Sequence, residues 1–234
     1  LNPVTDFTHY HGFEKKRREQ MLAGERMTRR PIAVGQSEPI NEALSLMRQE
    51  KVRRLPVLDK RGKLVGIVCE KDLLYASPSP ATSLSMHELH YLLSKITVKD
   101  VMTKDVITVK EDTPLEEVAR VMADNKIGCA PVMRQGELVG IITETDIFKI
   151  LLEMMGAREH GVRLTLSLPH RVGTLAEVSR EIANRNGNIV ALGTFRGEDT
   201  AHSIITLKVQ DLSQEELLGA LEGLEAQVRD VQET

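Results

Sequence analysis

Two aspartates recur in the repeat, each three residues after a side chain that could meet a ligand: Asp146 follows Thr143, and Asp72 follows Cys69. A short carboxylate can accept hydrogen bonds from two vicinal hydroxyls at once, and such bonds are charge-assisted. The Thr143 hydroxyl adds a donor, whereas the Cys69 thiol is a weak one. Unpaired N–H groups at a helix start also favour an anion. The same aspartate is equally favourable without any ligand, because it meets the positive end of the helix dipole, so both readings stand. Arg53 and Arg54 form a cationic pair that by default is solvated or salt-bridged. Cys69 and Cys129 each sit inside an apolar stretch and read first as small core residues with reduced thiols.

Several other chemistries are excluded. The chain has no paired Cys and His, serine nucleophile elbow, Walker loop or HExxH helix, so it is read as non-enzymatic. The two cysteines argue against a disulfide framework and a metal cluster, and His87 with His90 reads as a surface pair. A formal charge of -3 argues against holding nucleic acid through phosphates. With 41% hydrophobic and 28% charged residues the composition is globular, and with 3% aromatics the cores must be aliphatic. No apolar run approaches the ~20 residues needed to span a bilayer, and the start lacks a signal-peptide core. The chain is therefore expected to be cytoplasmic. Residues 1–20, with the basic run Lys15-Lys16-Arg17-Arg18, read as a disordered extension, and Met21 is a candidate start.

An internal repeat must position these groups. Met27-Thr28 recurs as Met102-Thr103, Pro39 as Pro114, Glu42 as Glu117, Met47 as Met122 and Pro56-Val57 as Pro131-Val132. After a one-residue deletion, Gly62, Leu64, Val65, Gly66, Ile67, Glu70 and Asp72 match Gly136, Leu138, Val139, Gly140, Ile141, Glu144 and Asp146. Each copy reads strand, helix, strand, turn, strand, helix. In the second copy Val106 to Val109 is a strand, and Thr113-Pro114-Leu115-Glu116 reads as a capping box with proline first in the helix. A unit of ~50 residues buries too little surface alone, so the copies are expected to pack as a pair about a pseudo-twofold axis. Between them lie the breaker Ser77-Pro78-Ser79-Pro80 and a helical stretch from Met86 to Lys95, whose Met86, Leu89 and Leu93 form an apolar stripe. After Gly161 the pattern becomes strand, helix, strand, a turn at Gly197-Glu198-Asp199, strand and helix, closed by a short strand near Val228. That order specifies a ferredoxin-like sandwich. The fold class is thus α/β (α+β), divided as repeat 1 at 21–76, insert at 77–98, repeat 2 at 99–155 and a last domain at 161–232.

The strings GKLVGIVCEKDL and GELVGIITETDI, each preceded by Pro-Val, resemble CBS domains, so the two copies form a tandem pair, or Bateman module. The string LPHRVGTLAEVSREIANRNGNIVAL resembles an ACT domain, although Val172 stands where ACT sequences usually carry proline. The order CBS-CBS-ACT is similar to the acetoin-utilisation B-type regulatory proteins. The resemblance implies a ligand sensor that binds an adenine nucleotide (AMP, ADP or ATP) or S-adenosylmethionine between the repeats, with no cofactor required. It puts Asp146 and Asp72 at the ribose and Thr143 at the phosphate. Adenine walls for the Thr143 cleft would come from Ile32, Val52 and Arg53, with a cation from Arg53, Lys71 or Arg30. The other cleft would use Cys69, Asp72, Ile107 and Ile127, with Arg54 at the phosphate. The ACT resemblance implies an amino-acid site on the loop Pro169 to Leu175. There His170 and Arg171 serve a carboxylate, Gly173 allows close backbone approach, and Asn188 stands across from the loop. With a single ACT copy per chain, such a site implies a homodimer, and a sensor implies a protein target. Two alternatives remain: a partner- or DNA-linked regulator using its basic start, with CBS as scaffold, and a metal-ion sensor resembling CBS modules of magnesium channels. In the second, Glu70 and Glu144 are the recurring acids.

Overall fold

The computed structural model describes residues 21–76, 95–196 and 201–234. The basic start, the breaker and apolar stripe of the insert, and the turn at 197–199 lie outside the described residues. The first copy runs α1 (Ala23–Arg26), β1 (Thr28–Arg29), β2 (Val34–Gly35), α2 (Ile40–Gln49), β3 (Arg54–Leu58), β4 (Leu64–Cys69) and α3 (Glu70–Tyr75). The second runs α4 (Val98–Val101), β5 (Val109–Lys110), α5 (Leu115–Asp124), β6 (Cys129–Arg134), β7 (Glu137–Thr143) and α6 (Glu144–Met154).

In both copies the proline of the repeat is the N-cap residue itself, not the first helical residue. Pro39 has φ -62, ψ 146 and Pro114 has φ -57, ψ 143, both outside helical geometry. The Thr113 hydroxyl accepts a bond from Lys110 N at 3.0 Å and so closes a turn instead of capping α5. The expected strand from Val106 shrinks to Val109–Lys110, whose parallel pairing with β6 covers Val109↔Val132 and Lys110↔Met133 only.

The copies exchange their leading segments. Strand β1 of the first copy pairs antiparallel with β7 of the second, Thr28↔Ile141 and Arg29↔Gly140. The start of the second copy returns the contact, since Ile67 N donates to Thr103 O and Thr103 N to Ile67 O, each at 2.9 Å. The sheets therefore read β1-β7-β6-β5 and β2-β3-β4. The first core follows the same exchange: Val34, Ile40, Ala43, Met47, Leu55, Val57, Val68 and Leu73 are buried together with Val98 from the second copy. Two glycines allow the close approach. A Cβ on Gly140 would strike Met27, and one on Gly66 would strike Met102.

One compact unit ends at Ile147 and the second begins at Phe148. The second contains β8 (Val162–Pro169), α7 (Thr174–Asn184), β9 (Asn188–Arg196), β10 (His202–Gln210), α8 (Gln214–Ala220) and β11 (Gln227–Glu233). Its sheet has the order β11-β8-β10-β9, with every neighbouring pair antiparallel. Alternation along β8 and β10 sends Leu164, Leu166, Leu168, Ile205, Leu207 and Val209 to one face, where they pack with Val178 and Ile182 of α7 and Leu217 of α8. Thr206 and Lys208 alternate with those core residues along β10 and are also buried, and the Lys208 ammonium donates to Gly156 O at 2.9 Å. Gly156 has φ 57 just past the end of α6, the left-handed position at which helices commonly stop. Among the described residues, no helix is long and apolar enough to cross a membrane.

The exchange predicts a specific sensitivity. Gly140→Ala, which places a Cβ against both Cβ and Sδ of Met27, should cost about 1–3 kcal/mol of stability. Urea unfolding checks this; a midpoint unchanged from wild type would mean that the Met27 segment gives way freely.

Candidate functional site

Thr143 ends β7, and its N–H and hydroxyl both donate to Asp146 Oδ2, at 2.9 and 2.8 Å. Asp146 N is directed back at Thr143 Oγ1 at 3.4 Å. This is a capping box at the start of α6, which fixes the carboxylate of a half-buried aspartate against the strand end. The first copy repeats the arrangement with a thiol in place of the hydroxyl: Cys69 N donates to Asp72 Oδ2 at 2.9 Å, and Asp72 N is directed back at the Cys69 sulfur at the start of α3. Burial first, and then a hydrogen bond to Asp72, push the Cys69 thiol above its ordinary pKa.

The box by itself does not mark a ligand. Thr97 N and Oγ1 donate to Asp100 Oδ2 at 2.9 and 2.7 Å ahead of α4. Ser213 N and Oγ donate to Glu216 Oε2, both at 2.8 Å, ahead of α8. The Thr143 box has, in addition, a charged neighbour from the other copy. Arg54 of the first copy reaches across to Glu144, the residue after Thr143, with Nη2 to Oε2 at 3.4 Å. The guanidinium lies against Gly128, where a Cβ would collide with it. In the backbone Arg54 is the strand partner of Cys69, and Cys129 that of Thr143.

The remaining candidates fall as follows. Ile32 and Val52 are half-buried and pack on the first core. Ile127 is half-buried, Ile107 is 36% exposed, and Arg53 is exposed while its carbonyl accepts from Glu70 N at 2.9 Å. Lys71 lies over the Tyr75 ring, 5.3 Å from its centroid. The Arg54–Glu144 pairing joins residues 90 positions apart and has no signature in the sequence. Among the described residues, no group of three or more His, Cys, Asp or Glu is arranged to hold a metal ion. A cavity of about 980 Å³ opens elsewhere, between the exchanged segment at Leu22 and Arg29, residues Thr108 and Lys110, and the Glu111–Arg134 ion pair. It contains none of the candidate residues, and its volume alone gives no chemistry.

In the second unit, the loop candidates are engaged within the chain. His170 Nδ1 is 2.7 Å from Ser203 Oγ. The Arg171 fork donates to both oxygens of Glu177, at 3.0 Å each, and this pairing holds the Glu177 carboxyl below its ordinary range. Gly173 is the N-cap of α7 with φ 92, a conformation that favours glycine. The expected position of Asn188 is corrected. Pro169 is paired to His202 and Asn188 to Gln210, at opposite ends of β10. Eight residue steps along a strand place them about 26 Å apart. The sheet order forces this, because α7 runs away from the loop before β9 begins.

Comparison with known proteins bears on the first unit. The family model for the CBS domain matches residues 23–79 and 98–153. An uncharacterized protein of Methanocaldococcus jannaschii is 33% identical over 147 residues, covering 53% of this chain and 88% of that protein. A solved protein of Vibrio cholerae, described as an acetoin utilization protein, is 33% identical over 60% of this chain and 96% of that one, with a TM-score of 0.49. CBSX2 of Arabidopsis thaliana, solved in complex with AMP, is 34% identical over 56% of this chain and 96% of that one, with a TM-score of 0.46.

The thiols give a measurable consequence. Desolvation pushes Cys129 up to about 11, with Arg54 opposing the rise. At pH 8 a thiol of that pKa is only about one part in a thousand thiolate. Alkylation by iodoacetamide should therefore be slower at both cysteines than at a free thiol, with Cys129 the slower, and should accelerate as pH rises towards 11. Mass spectrometry of each peptide measures it; a Cys129 rate already at its plateau by pH 8 would contradict the burial argument.

Proposed function

The chain belongs to the CBS-domain family, and from that premise we propose that it is a non-catalytic regulatory sensor whose first unit binds an adenine nucleotide (AMP, ADP or ATP) or S-adenosylmethionine between the copies. The observation that carries the reading is the Thr143–Asp146 box with the Arg54 guanidinium brought alongside it from the other copy. A carboxylate fixed in orientation accepts the ribose hydroxyls without first ordering itself, which lowers the cost of binding. The hydroxyl of Thr143 and a guanidinium next to it suit a phosphate. The box at Asp100 has no guanidinium in its described hydrogen bonds, and the Arg185 guanidinium beside the Glu216 box comes from the same unit and is taken up by the Glu216 and Gly219 carbonyls. Ile32, Val52 and Arg53 serve the adenine in this cleft. The Cys69–Asp72 cleft, with Ile107 and Ile127, is the weaker site, because Arg54 is drawn towards Glu144.

The second unit we assign to a ferredoxin-like ACT domain over 161–232, after CBS repeats at 21–76 and 99–155. The βαββαβ order and the strand sequence β11-β8-β10-β9 support it. An amino acid would meet His170, Gly173 and the start of α7, while Asn188 would have to come from a second copy, which favours a homodimer. Arg171 is already held by Glu177 and would have to leave it to serve a carboxylate. Nucleotide binding then favours one arrangement of the copies, and a cytoplasmic protein target reads it.

Calorimetry with AMP, ADP, ATP and S-adenosylmethionine tests the sensor. Micromolar binding of at least one is expected, lost in Asp146→Ala. Asp100→Ala, which removes the same type of box elsewhere, should bind as wild type. Each box lost should cost about 1 kcal/mol of stability, so the two variants are matched in that respect. Absence of heat with all four compounds, or equal losses in the two variants, would sink the reading.

A further inference from the structure

Glu70 and Glu144 recur in the two copies, and the nucleotide reading gives neither a task. Their surroundings are unequal. Glu144 pairs with Arg54, whereas the residue matching Arg54 in the second copy is Cys129, which cannot return the pairing to Glu70. The slot that admits the guanidinium is equally one-sided: Gly128 has no side chain there, and its match in the first copy is Arg53. A Cβ on Gly128 would meet both Arg54 and, at 2.9 Å, Glu144 Oε2. The glycine therefore holds open a place where a cation of one copy and an anion of the other meet beside Thr143.

We propose that Glu144 is a specificity-determining residue that holds Arg54 against the arriving phosphate, so that it sets how much the negative charge of a nucleotide adds to the affinity of its adenosine part. The inference rests on the nucleotide reading above. Arg54 makes a single contact to Glu144 at 3.4 Å, with the side chains 27% and 57% exposed. Such a pair is weak and displaceable. A phosphate offers the guanidinium fork two oxygens and more charge, so it wins Arg54, but only by breaking the pair and leaving the Glu144 carboxylate beside a second anion. Adenosine, without a phosphate, takes part in neither exchange. Glu144 thus damps the preference for AMP over adenosine and acts through Arg54, not through the ligand.

Four proteins and two probes decide it: wild type, Glu144→Gln, Arg54→Gln and the double variant, each titrated with AMP and with adenosine at one ionic strength. Glu144→Gln should tighten AMP about fivefold, the scale of a displaced surface pair, with adenosine unchanged within about twofold. Arg54→Gln should weaken AMP about tenfold and leave adenosine alone. In the double variant the gain from Glu144→Gln should vanish, because the residue through which it acts is gone. A gain that persists without Arg54 would reduce Glu144 to a general charge effect and overturn the proposal, as would equal gains for AMP and adenosine or no gain at all. Adenosine binding with an unaltered AMP preference refutes this inference alone. If none of the four proteins binds either probe, the nucleotide reading fails and the inference with it.

Discussion

The exchange of leading segments between the two copies is the constraint from which the first unit follows. Each copy begins with a short stretch that completes the other: Thr28–Arg29 on the edge of β7, Thr103 against Ile67, and Val98 inside the first core. A copy taken alone would expose a strand edge and leave a gap in its core, both costly for so small a unit. The exchange also requires two backbones to come close, and the methionines at 27 and 102 do so over Gly140 and Gly66. Those glycines lie in β7 and β4, the strands that end at Thr143 and Cys69. The contact that joins the copies thus fixes the strands that carry the candidate residues.

Local chemistry then makes the two helix starts at Thr143 and Cys69 alike, and long-range packing makes them different. Both aspartates are the third residue of a helix and turn an oxygen back to the strand end. That geometry belongs to the helix start and recurs at Asp100. The difference comes from one side chain of one copy lying in the slot of the other. Arg54 finds Gly128 and Glu144; Cys129 in the matching place is buried, and its thiol is pushed well above the ordinary range. The asymmetry is therefore electrostatic as well as steric.

The second unit obeys a simpler rule. Alternation along β8 and β10 supplies an aliphatic face, and two helices cover it. The partly polar set on the other side includes Lys208, whose ammonium reaches a carbonyl at the end of α6. A buried ammonium needs such an acceptor. The sheet order separates Pro169 from Asn188 by the length of β10, so residues that neighbour one another in a motif lie at opposite ends of the fold.

The sequence by itself determined the repeat, the order of nearly all elements, the aliphatic cores and the three-residue spacing of Thr143 and Asp146 at a helix start, because each depends on periodicity or on residues three apart. It misplaced Pro114 by one residue and extended β5 too far, since cap position and strand length are set by the neighbouring backbone. Only the tertiary structure decided which copy completes which sheet, that Arg54 meets Glu144 across Gly128, and that Asn188 is remote from the loop at His170. Those outcomes join residues as far apart in the chain as Ile67 and Thr103, Arg54 and Glu144, or Thr28 and Ile141, or keep near neighbours apart, and local pattern carries no information on such distances. Two copies with nearly the same local signals become unequal because a side chain in one is answered by a missing side chain in the other.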